Sequence, residues 1–256
     1  MSLFDRLFER NGKKLKSEDR RRLLRSTVAA GLFTGLAMLG FIPVVRRWRE
    51  RLRPPGALVE HEFLAACIKC GQCVQVCPVK AIHLADIDEG YGIGTPYIDA
   101  RKQGCDFSCD AVQCVLACPT GALSHDISTK DQVRMGVARL AGPDRCLARQ
   151  GRGFKGVARA DDSTILHRYM SVNRWKPIEL AEHPYDLELC DLCVRECPID
   201  GAITLEKLTG EPDDKRKTPV VHQSCVGCGF CETICPAQPA AIVVDARAVW
   251  PGQHGA

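Results

Sequence analysis

Sixteen cysteines in a chain of 256 residues give this sequence an unusual capacity to bind metal. Two runs repeat one spacing and one ending: Cys67-x2-Cys70-x2-Cys73-x3-Cys77-Pro78 and Cys225-x2-Cys228-x2-Cys231-x3-Cys235-Pro236. Gly71 and Gly229 occupy the same position in the two runs. Three thiolates on so short a loop can surround one side of an iron–sulfur cluster, and the fourth can reach a second cluster. A glycine lets the backbone pass close by. The spacing therefore predicts [4Fe–4S] clusters.

Two further groups of cysteines end in the same Cys-Pro dipeptide. They are Cys105-x3-Cys109-x4-Cys114-x3-Cys118-Pro119 and Cys190-x2-Cys193-x3-Cys197-Pro198, and Cys146 is the one cysteine outside the four groups. If neighbouring groups exchange their fourth ligands, every cysteine is used once. The predicted ligands are Cys67, Cys70, Cys73 and Cys118 for cluster 1; Cys105, Cys109, Cys114 and Cys77 for cluster 2; Cys146, Cys190, Cys193 and Cys235 for cluster 3; and Cys225, Cys228, Cys231 and Cys197 for cluster 4.

Three other uses of cysteine are weaker explanations of this pattern. Structural zinc also uses Cys-x2-Cys pairs, but it requires neither the third cysteine nor the trailing proline. A disulfide framework would suit an exported protein. Covalent haem is excluded because no Cys-x2-Cys pair is followed by His. For Cys146 the alternative is a free buried thiol, with the third cluster ligated differently or reduced to a three-iron form.

The N-terminal segment concentrates the positive charge. Up to Arg53 the chain has 14 basic and 5 acidic residues, so the rest of the chain is mildly acidic. A nucleic-acid-binding protein would carry positive charge on its folded body, so no nucleic-acid partner is expected. The sequence Asp19-Arg20-Arg21-Arg22-Leu23-Leu24-Arg25 resembles a twin-arginine export signal, with Arg20 and Arg21 as the pair. Residues 27–45 carry no charge, and as a helix they would reach roughly 28 Å, close to the bilayer core thickness.

The residues after this apolar stretch bear on whether the signal is removed. A cleaved signal ends in an Ala-x-Ala-like site, but here Arg46-Arg47-Trp48-Arg49 follows. We therefore predict an uncleaved anchor, with a cleaved signal or a buried soluble helix as alternatives. The protein would be exported by the twin-arginine translocase, which moves folded proteins with their cofactors installed. It would then stay at the periplasmic face of the bacterial inner membrane.

Several stretches outside the cysteines resemble the NapG/MauM family of ferredoxin-type proteins, which are exported polyferredoxins of periplasmic nitrate reductase and methylamine-oxidation systems. They are Arg53-Pro54-Pro55-Gly56-Ala57, Phe63-Leu64-Ala65-Ala66-Cys67, Gly94-Thr95-Pro96-Tyr97 with Ala100-Arg101, Arg134-Met135-Gly136, and Ala202-Ile203-Thr204-Leu205-Glu206-Lys207.

The resemblance departs at residues 147–189, an insertion that separates Cys146 from the third group. It includes Gly151-x-Gly153-x-x-Gly156, which formally matches a dinucleotide-binding motif. No strand-like pattern precedes the motif and no helical pattern follows it. A surface loop that contacts a partner is the favoured interpretation.

The predicted fold class is α+β: two tandem bacterial 2[4Fe–4S] ferredoxin-like modules after an N-terminal apolar signal or anchor helix. The expected domains are residues 1–57 for the signal and anchor, 58–144 for the first module and 145–256 for the second, with the insertion at about 147–189. Short strands are predicted at 81–84, 95–98, 203–205, 220–221 and 242–244, and brief helices at 113–117 and 230–234.

The sequence contains no recognisable substrate site. Its seven histidines are scattered, and each is interpreted as surface or loop filler. We therefore predict an electron-transfer subunit without enzymatic activity of its own, and a component of a quinol dehydrogenase complex. The family resemblance implies an integral membrane quinol dehydrogenase subunit as donor and a periplasmic cytochrome c or reductase as acceptor. The alternatives are an iron–sulfur subunit bound directly to a molybdenum-type oxidoreductase, and a maturation factor for a periplasmic redox enzyme.

Overall fold

The computed structural model describes residues 17–46, 50–86, 92–159, 164–173, 175–211, 213–246 and 248. The chain divides into an N-terminal unit and a compact body. Helix α1, Ser17–Arg46, belongs to the N-terminal unit and is 30 residues long. All of the cysteines belong to the body.

Helix α1 includes the predicted export arginines, Arg20 and Arg21. Within the described residues, no helix combines the length and the apolar character needed to cross a membrane. The apolar N-terminal helix expected from the sequence is thus not found. Four arginines and one aspartate lie between positions 19 and 25, and Gly31, Thr34 and Gly35 interrupt the apolar side chains that follow.

The body is built from short elements connected by turns. Its strands pair two by two, always antiparallel: β1 with β2, β3 with β10, β4 with β7, β5 with β6, and β8 with β9. In chain order the elements are α2 (Glu60–Ala66), α3 (Gln72–Gln75), β1 (Ile82–Leu84), β2 (Pro96–Ile98), α4 (Gln113–Leu116), β3 (Gly136–Leu140), β4 (Phe154–Gly156), β5 (Leu166–His167), β6 (Ile178–Glu179), β7 (Tyr185–Leu187), α5 (Leu192–Arg195), β8 (Ile203–Lys207), β9 (Lys217–Val221), α6 (Phe230–Ile234) and β10 (Ile242–Ala246).

The strands and helices predicted near the cysteines are present. The five predicted strands correspond to β1, β2, β8, β9 and β10, and the two predicted helices correspond to α4 and α6. Two of the sheets place an isoleucine at their buried end, where Ile82 lies opposite Ile98 and Ile203 lies opposite Val221. The body thus has the α+β character expected of tandem ferredoxin modules.

Strand β3 was not predicted, and it connects the two predicted modules. It lies before residue 144 but pairs over its whole length with β10, with Gly136 opposite Ala246 and Leu140 opposite Ile242. The sheet also approaches the second cysteine run closely, since a Cβ on Gly227 would lie 2.2 Å from the Gly136 carbonyl oxygen. A strand with its partner about a hundred residues away gives no local signal in the sequence.

Residues 147–189, expected to form a surface loop, instead fold into the core. Strand β4 pairs with β7. Strands β5 and β6, which lie between those two in the sequence, pair with each other. Ile165, Tyr169, Leu180 and Tyr185 from this segment are buried in the hydrophobic core. The glycine-rich motif forms a turn and then strand β4, so it lacks the helix that a dinucleotide-binding motif requires.

Hydrogen bonds join the two predicted modules directly. The Arg101 guanidinium donates to the carbonyl oxygens of Glu232, Cys235 and Ala237 at 2.8–2.9 Å. The hydroxyl of Thr233, which is fully buried, donates to the Ala100 carbonyl at 2.6 Å and accepts from the Gly104 N–H at 2.7 Å. These contacts hold the cysteine groups of the two modules in one body.

Candidate metal centres

The turn before each short helix brings thiols together. Gly71 and Gly229 are the N-cap residues of α3 and α6, and both have left-handed backbone conformations, with φ of 74° and 85°. The corresponding residue before α4 is Val112, which has φ of 47° despite its branched side chain. A left-handed residue reverses the chain within one turn, so cysteines on both sides of it can face the same space.

The first set of thiols consists of Cys67, Cys70, Cys73 and Cys118, here named site 1. Burial, and then the negative charges of Cys67 and Cys70, raise the pKa of Cys73 to about 11, and Cys118 adds to the effect. All four residues line one cavity of about 350 Å³, including its open mouth. Cys70 is the one exposed cysteine of the sixteen, all of which the structure describes.

Site 2 consists of Cys105, Cys109, Cys114 and Cys77. Burial, and then the charges of Cys109 and Cys77, raise the pKa of Cys114 far above its ordinary value. Cys105 is fully enclosed, and after burial the largest effect on its pKa comes from Cys114. Cys77 therefore leaves its own run and joins the second group.

Site 3 consists of Cys146, Cys190, Cys193 and Cys235. Burial raises the pKa of Cys190 to about 12, and the charges of Cys235 and Cys146 act in the same direction. The same two residues also raise the pKa of Cys193. All four line a cavity of about 390 Å³, including its open mouth. Cys146 thus lies with this set, although about forty residues separate it from Cys190 in the sequence.

Site 4 consists of Cys225, Cys228, Cys231 and Cys197. The thiol of Cys231 is fully buried, and burial together with the charges of the other three cysteines of the set raises its pKa. The set lines a third cavity, of about 280 Å³. The structure therefore brings together the same four sets of cysteines that the spacing predicts as ligand sets.

The cavities have the right chemistry for iron–sulfur clusters. Their walls are nearly all thiol and apolar groups, and thiolate is the soft ligand that favours iron–sulfur clusters, zinc and copper(I). A single zinc ion holds its thiolates at about 2.3 Å and leaves no room between them. Here the sulfurs surround a space. Among the described residues, no three His, Cys, Asp or Glu side chains are placed to hold one metal ion.

Buried thiols at these positions become thiolates only when a cation is bound. Burial raises the pKa of nearly every cysteine for which a shift is resolved, so these thiols would stay neutral on their own. Coordination to a metal deprotonates a thiol outright. The residues present therefore fit a multi-iron cluster at each site.

Neighbouring sites approach each other in the order 1, 2, 4, 3. The negative charge of Cys73 raises the pKa of Cys114, so sites 1 and 2 are neighbours. The Cys105 N–H donates to the Cys228 carbonyl at 2.9 Å, linking sites 2 and 4. The negative charge of Cys193 raises the pKa of Cys231, so sites 3 and 4 are neighbours. Sites 2 and 4 are therefore the inner pair, and sites 1 and 3 are the ends of the series.

Each Cys-Pro cysteine accepts a hydrogen bond from the backbone that follows it. Three of these have N···S distances of 3.3–3.5 Å: Ala81 to Cys77, Leu123 to Cys118, and Ala241 to Cys235. Cys118 also lies 3.8 Å from the Thr120 hydroxyl. Burial alone would raise the pKa of Cys118, but these hydrogen bonds lower it. Hydrogen bonds to sulfur are one of the ways a protein sets a cluster potential.

Sequence reasoning missed His167, which is buried and not surface filler. Its Nδ1 lies 2.9 Å from Asp106 Oδ2, and its Nε2 lies 3.1 Å from Glu196 Oε2. Burial alone would lower the pKa of His167, but these two carboxylates outweigh burial and raise it. The alternation of buried Ile165, His167 and Tyr169 with less buried residues is a strand signal that could have found it.

Comparisons with known proteins agree with this geometry. The 4Fe-4S dicluster domain family matches residues 66–148 and 188–238, which include all sixteen cysteines. The methylamine utilization ferredoxin-type protein MauM of Methylorubrum extorquens is 38% identical over 248 residues, covering 94% of this chain and 96% of the relative. The ferredoxin-type protein NapG of Escherichia coli K12 is 37% identical over 243 residues, covering 92% and 89%. MauM of Paracoccus denitrificans is 40% identical over 207 residues, covering 80% and 75%.

These relatives match the chain over most of its length. The dicluster match indicates [4Fe–4S] clusters as the cofactors of the cysteine sites. The chain belongs to the NapG/MauM family of ferredoxin-type iron–sulfur electron-transfer proteins.

Proposed function

We propose that this protein holds four [4Fe–4S] clusters, one at each of sites 1 to 4, and carries electrons between a membrane quinol dehydrogenase and a periplasmic redox acceptor. The single observation that carries the proposal is the grouping of all sixteen cysteines into four sets of four with no cysteine left over. The grouping follows from the mutual effects of the thiols on their pKa values and from the three cavities.

When bound, such clusters supply one-electron transfer at potentials that their surroundings set. The chain's own residues hold the sulfurs, exclude water and direct N–H groups at the Cys-Pro cysteines. Burial of Cys225, Cys228 and Cys231 keeps solvent from most of site 4, where Cys197 is half-buried. Exposure of Cys70 brings site 1 to the surface, where exchange with another protein is possible.

The direction of transfer and the partners rest on the family and on the N-terminal segment. The MauM relatives are named for methylamine utilization and NapG is named a ferredoxin-type protein, which supports a redox partner for this chain. In our proposal an integral membrane quinol dehydrogenase subunit supplies electrons, and a cytochrome c or reductase accepts them. Export by the twin-arginine translocase through Arg20 and Arg21 would place the protein at the periplasmic face of the inner membrane.

The cluster number is tested on anaerobically purified protein. Iron and acid-labile sulfide should each approach about 16 per chain, because each of four clusters holds about four of each. Reduction by dithionite followed by low-temperature electron paramagnetic resonance (EPR) should yield about four unpaired spins per chain. A preparation that reconstitutes fully at half these values would contradict the four-cluster assignment.

The electron donor is tested with membranes that contain the protein. Quinol added without oxygen should produce the EPR signals of the reduced clusters, and those signals should require the membrane partner. If quinol leaves the clusters oxidised while dithionite reduces them, the quinol assignment fails. Copurification with a large catalytic chain would then favour a reductase subunit, and normal electron flow without this protein would favour a maturation factor.

Localisation is tested with the double substitution Arg20→Lys and Arg21→Lys, which keeps both charges. Twin-arginine export should be lost, so the protein should accumulate in the cytoplasmic fraction with its iron retained. Unchanged periplasmic activity of this variant would remove the export assignment.

A further inference from the structure

The two inner sites are joined by one buried side chain, His167. Its two partners adjoin cysteines of different sites, since Asp106 follows Cys105 of site 2 and Glu196 precedes Cys197 of site 4. The exposed fraction of the Asp106 side chain is 0%, that of His167 is 9% and that of Glu196 is 13%. One imidazole therefore spans the junction at which the cysteine loops of the two modules meet.

Both ring nitrogens of His167 face carboxylate oxygens, so the imidazole is held from two sides. An ionised carboxylate can only accept hydrogen bonds, so both ring nitrogens must donate when both partners are ionised. A doubly protonated ring between two carboxylates makes charge-assisted hydrogen bonds, which are stronger than neutral ones. Removal of one partner would leave an uncompensated charge in a buried place, so the arrangement is held tightly.

The rest of the 147–189 segment braces His167 against the same loops. The Arg168 guanidinium donates to both carboxylate oxygens of Asp110 at 2.6 and 3.0 Å, and Asp110 follows Cys109 of site 2. The Tyr185 hydroxyl donates to Glu196 Oε1 at 3.1 Å. Leu166 exchanges two hydrogen bonds with the Gln103 side chain, at 2.8 and 2.9 Å. The segment thus contacts both inner loops from strand β5, from Arg168 directly after it and from strand β7.

We propose that His167 is a positioning residue. It holds sites 2 and 4 at the separation that is required for electron transfer between the modules. The proposal rests on the proposed function, because it needs clusters at both sites. It assigns the 147–189 segment a specific role as the clamp between the two modules. The Cys105 N–H to Cys228 carbonyl bond, the Thr233 hydroxyl and the Arg101 guanidinium already join the two modules, and His167 adds a buried contact between the residues beside Cys105 and Cys197. This contact restricts movement of the two cysteine loops relative to each other.

The test compares His167→Gln with Tyr169→Phe. Glutamine is neutral, and its side-chain amide can donate to Asp106 or to Glu196 but cannot reach both. The contact between the two cysteine loops through residue 167 is therefore lost. Tyr169→Phe removes a hydroxyl of the same buried cluster, which lies 3.0 Å from the Tyr185 hydroxyl, and keeps the ring packed on His167. The two variants therefore make similar changes in the same region, but only the first breaks contact with the loops.

The measurement is EPR of the fully reduced, cluster-loaded protein, together with iron content. Wild type and Tyr169→Phe should show magnetic coupling that links the pair at sites 1 and 2 to the pair at sites 3 and 4. His167→Gln should retain all of its iron but lose that coupling, leaving two independent pairs.

The outcomes separate this inference from the proposed function. Coupling in His167→Gln that matches wild type, at full iron content, would overturn the positioning role and leave the four clusters in place. Equal loss of iron from His167→Gln and Tyr169→Phe would assign His167 a purely structural role and also overturn it. Fewer than four clusters in wild type would contradict the proposed function. If the missing cluster were the one at site 2 or site 4, the role of His167 would be contradicted as well.

Discussion

The two cysteine runs with identical spacing have very different surroundings. In the run at 225–235 all four cysteines are buried. In the run at 67–77, Cys73 is buried, Cys67 and Cys77 are half-buried, and Cys70 is exposed. Spacing along the chain therefore determines how thiols converge on a cluster, but it does not determine how far that cluster lies from solvent.

The difference comes from what packs against each run. Gly229 lies against Ala100 from the first module, and a Cβ there would come within 2.7 Å of the Ala100 Cβ. Gly71 has open space around it, with Leu84 Cδ1 as the nearest atom at 3.9 Å. Beside the first run, the exposed fraction of Ile68 is 63%. The run at 225–235 thus packs against the first module in the interior of the body. The run at 67–77 faces solvent at one end of the series of sites.

Removal of a matched ligand from each run should give the largest contrast. Cys228→Ala and Cys70→Ala both remove the second cysteine of a run. We expect Cys70→Ala to lose one cluster, about four iron atoms, and to keep a folded body. Cys228→Ala should lose folded, soluble protein as well, because cluster binding and folding are linked and site 4 lies in the core. Iron content and limited proteolysis measure both effects, and equal outcomes would show that burial does not distinguish the runs.

Substitution of the two matched glycines should give an intermediate contrast. Gly71→Ala places an L-residue in the left-handed region, which costs roughly 1–2 kcal/mol. Gly229→Ala has the same backbone cost and adds overpacking against Ala100, which typically costs a further ~1–3 kcal/mol. The temperature of cluster loss, followed by visible absorbance, should therefore fall further for Gly229→Ala. A larger fall for Gly71→Ala would contradict the close packing of the second run.

Removal of the Thr120 hydroxyl should give the smallest effect. It tests whether a hydrogen bond to Cys118 helps to set the potential of the cluster at site 1. Thr120 lies two residues after Cys118, where the first run has Val79 and the third group has Ile199. Thr120→Val should lower the midpoint potential of cluster 1 by on the order of 40 mV, the equivalent of one hydrogen bond of ~1 kcal/mol. Redox titration measures the shift, and Ser124→Ala, which loses only a contact with Asp126, is the control. An unchanged potential would exclude a role for this hydroxyl.

Much of the candidate site could be predicted because its signals are local. A Cys-x2-Cys-x2-Cys spacing constrains thiols within one turn of chain, and the trailing proline marks where the fourth cysteine departs. Cys146 had no local signal and was assigned because it was the one cysteine remaining. The structure places it with Cys190 and Cys193, brought there by the folding of the 147–189 segment.

The parts of the fold that escaped prediction depend on distant partners. Strand β3 is short and starts with a glycine, and it becomes a strand through its pairing with β10. The 147–189 segment has polar stretches typical of a surface loop, yet Ile165, His167 and Tyr169 within it are buried. The N-terminal anchor was predicted from an uncharged stretch and from the lack of a cleavage site after it, and helix α1 also contains the four arginines between positions 20 and 25.

The sequence by itself predicted the chemistry we propose for this protein: the thiols assigned as ligands, their grouping in fours and the short strands and helices beside them. Those features depend on spacings of a few residues, which backbone geometry translates directly into distances. Tertiary structure alone decided the order of the sites, the exposure of Cys70 and the place of His167 between Asp106 and Glu196. Each of these depends on which distant segments pack together, and that is settled by burial of apolar surface over the whole body.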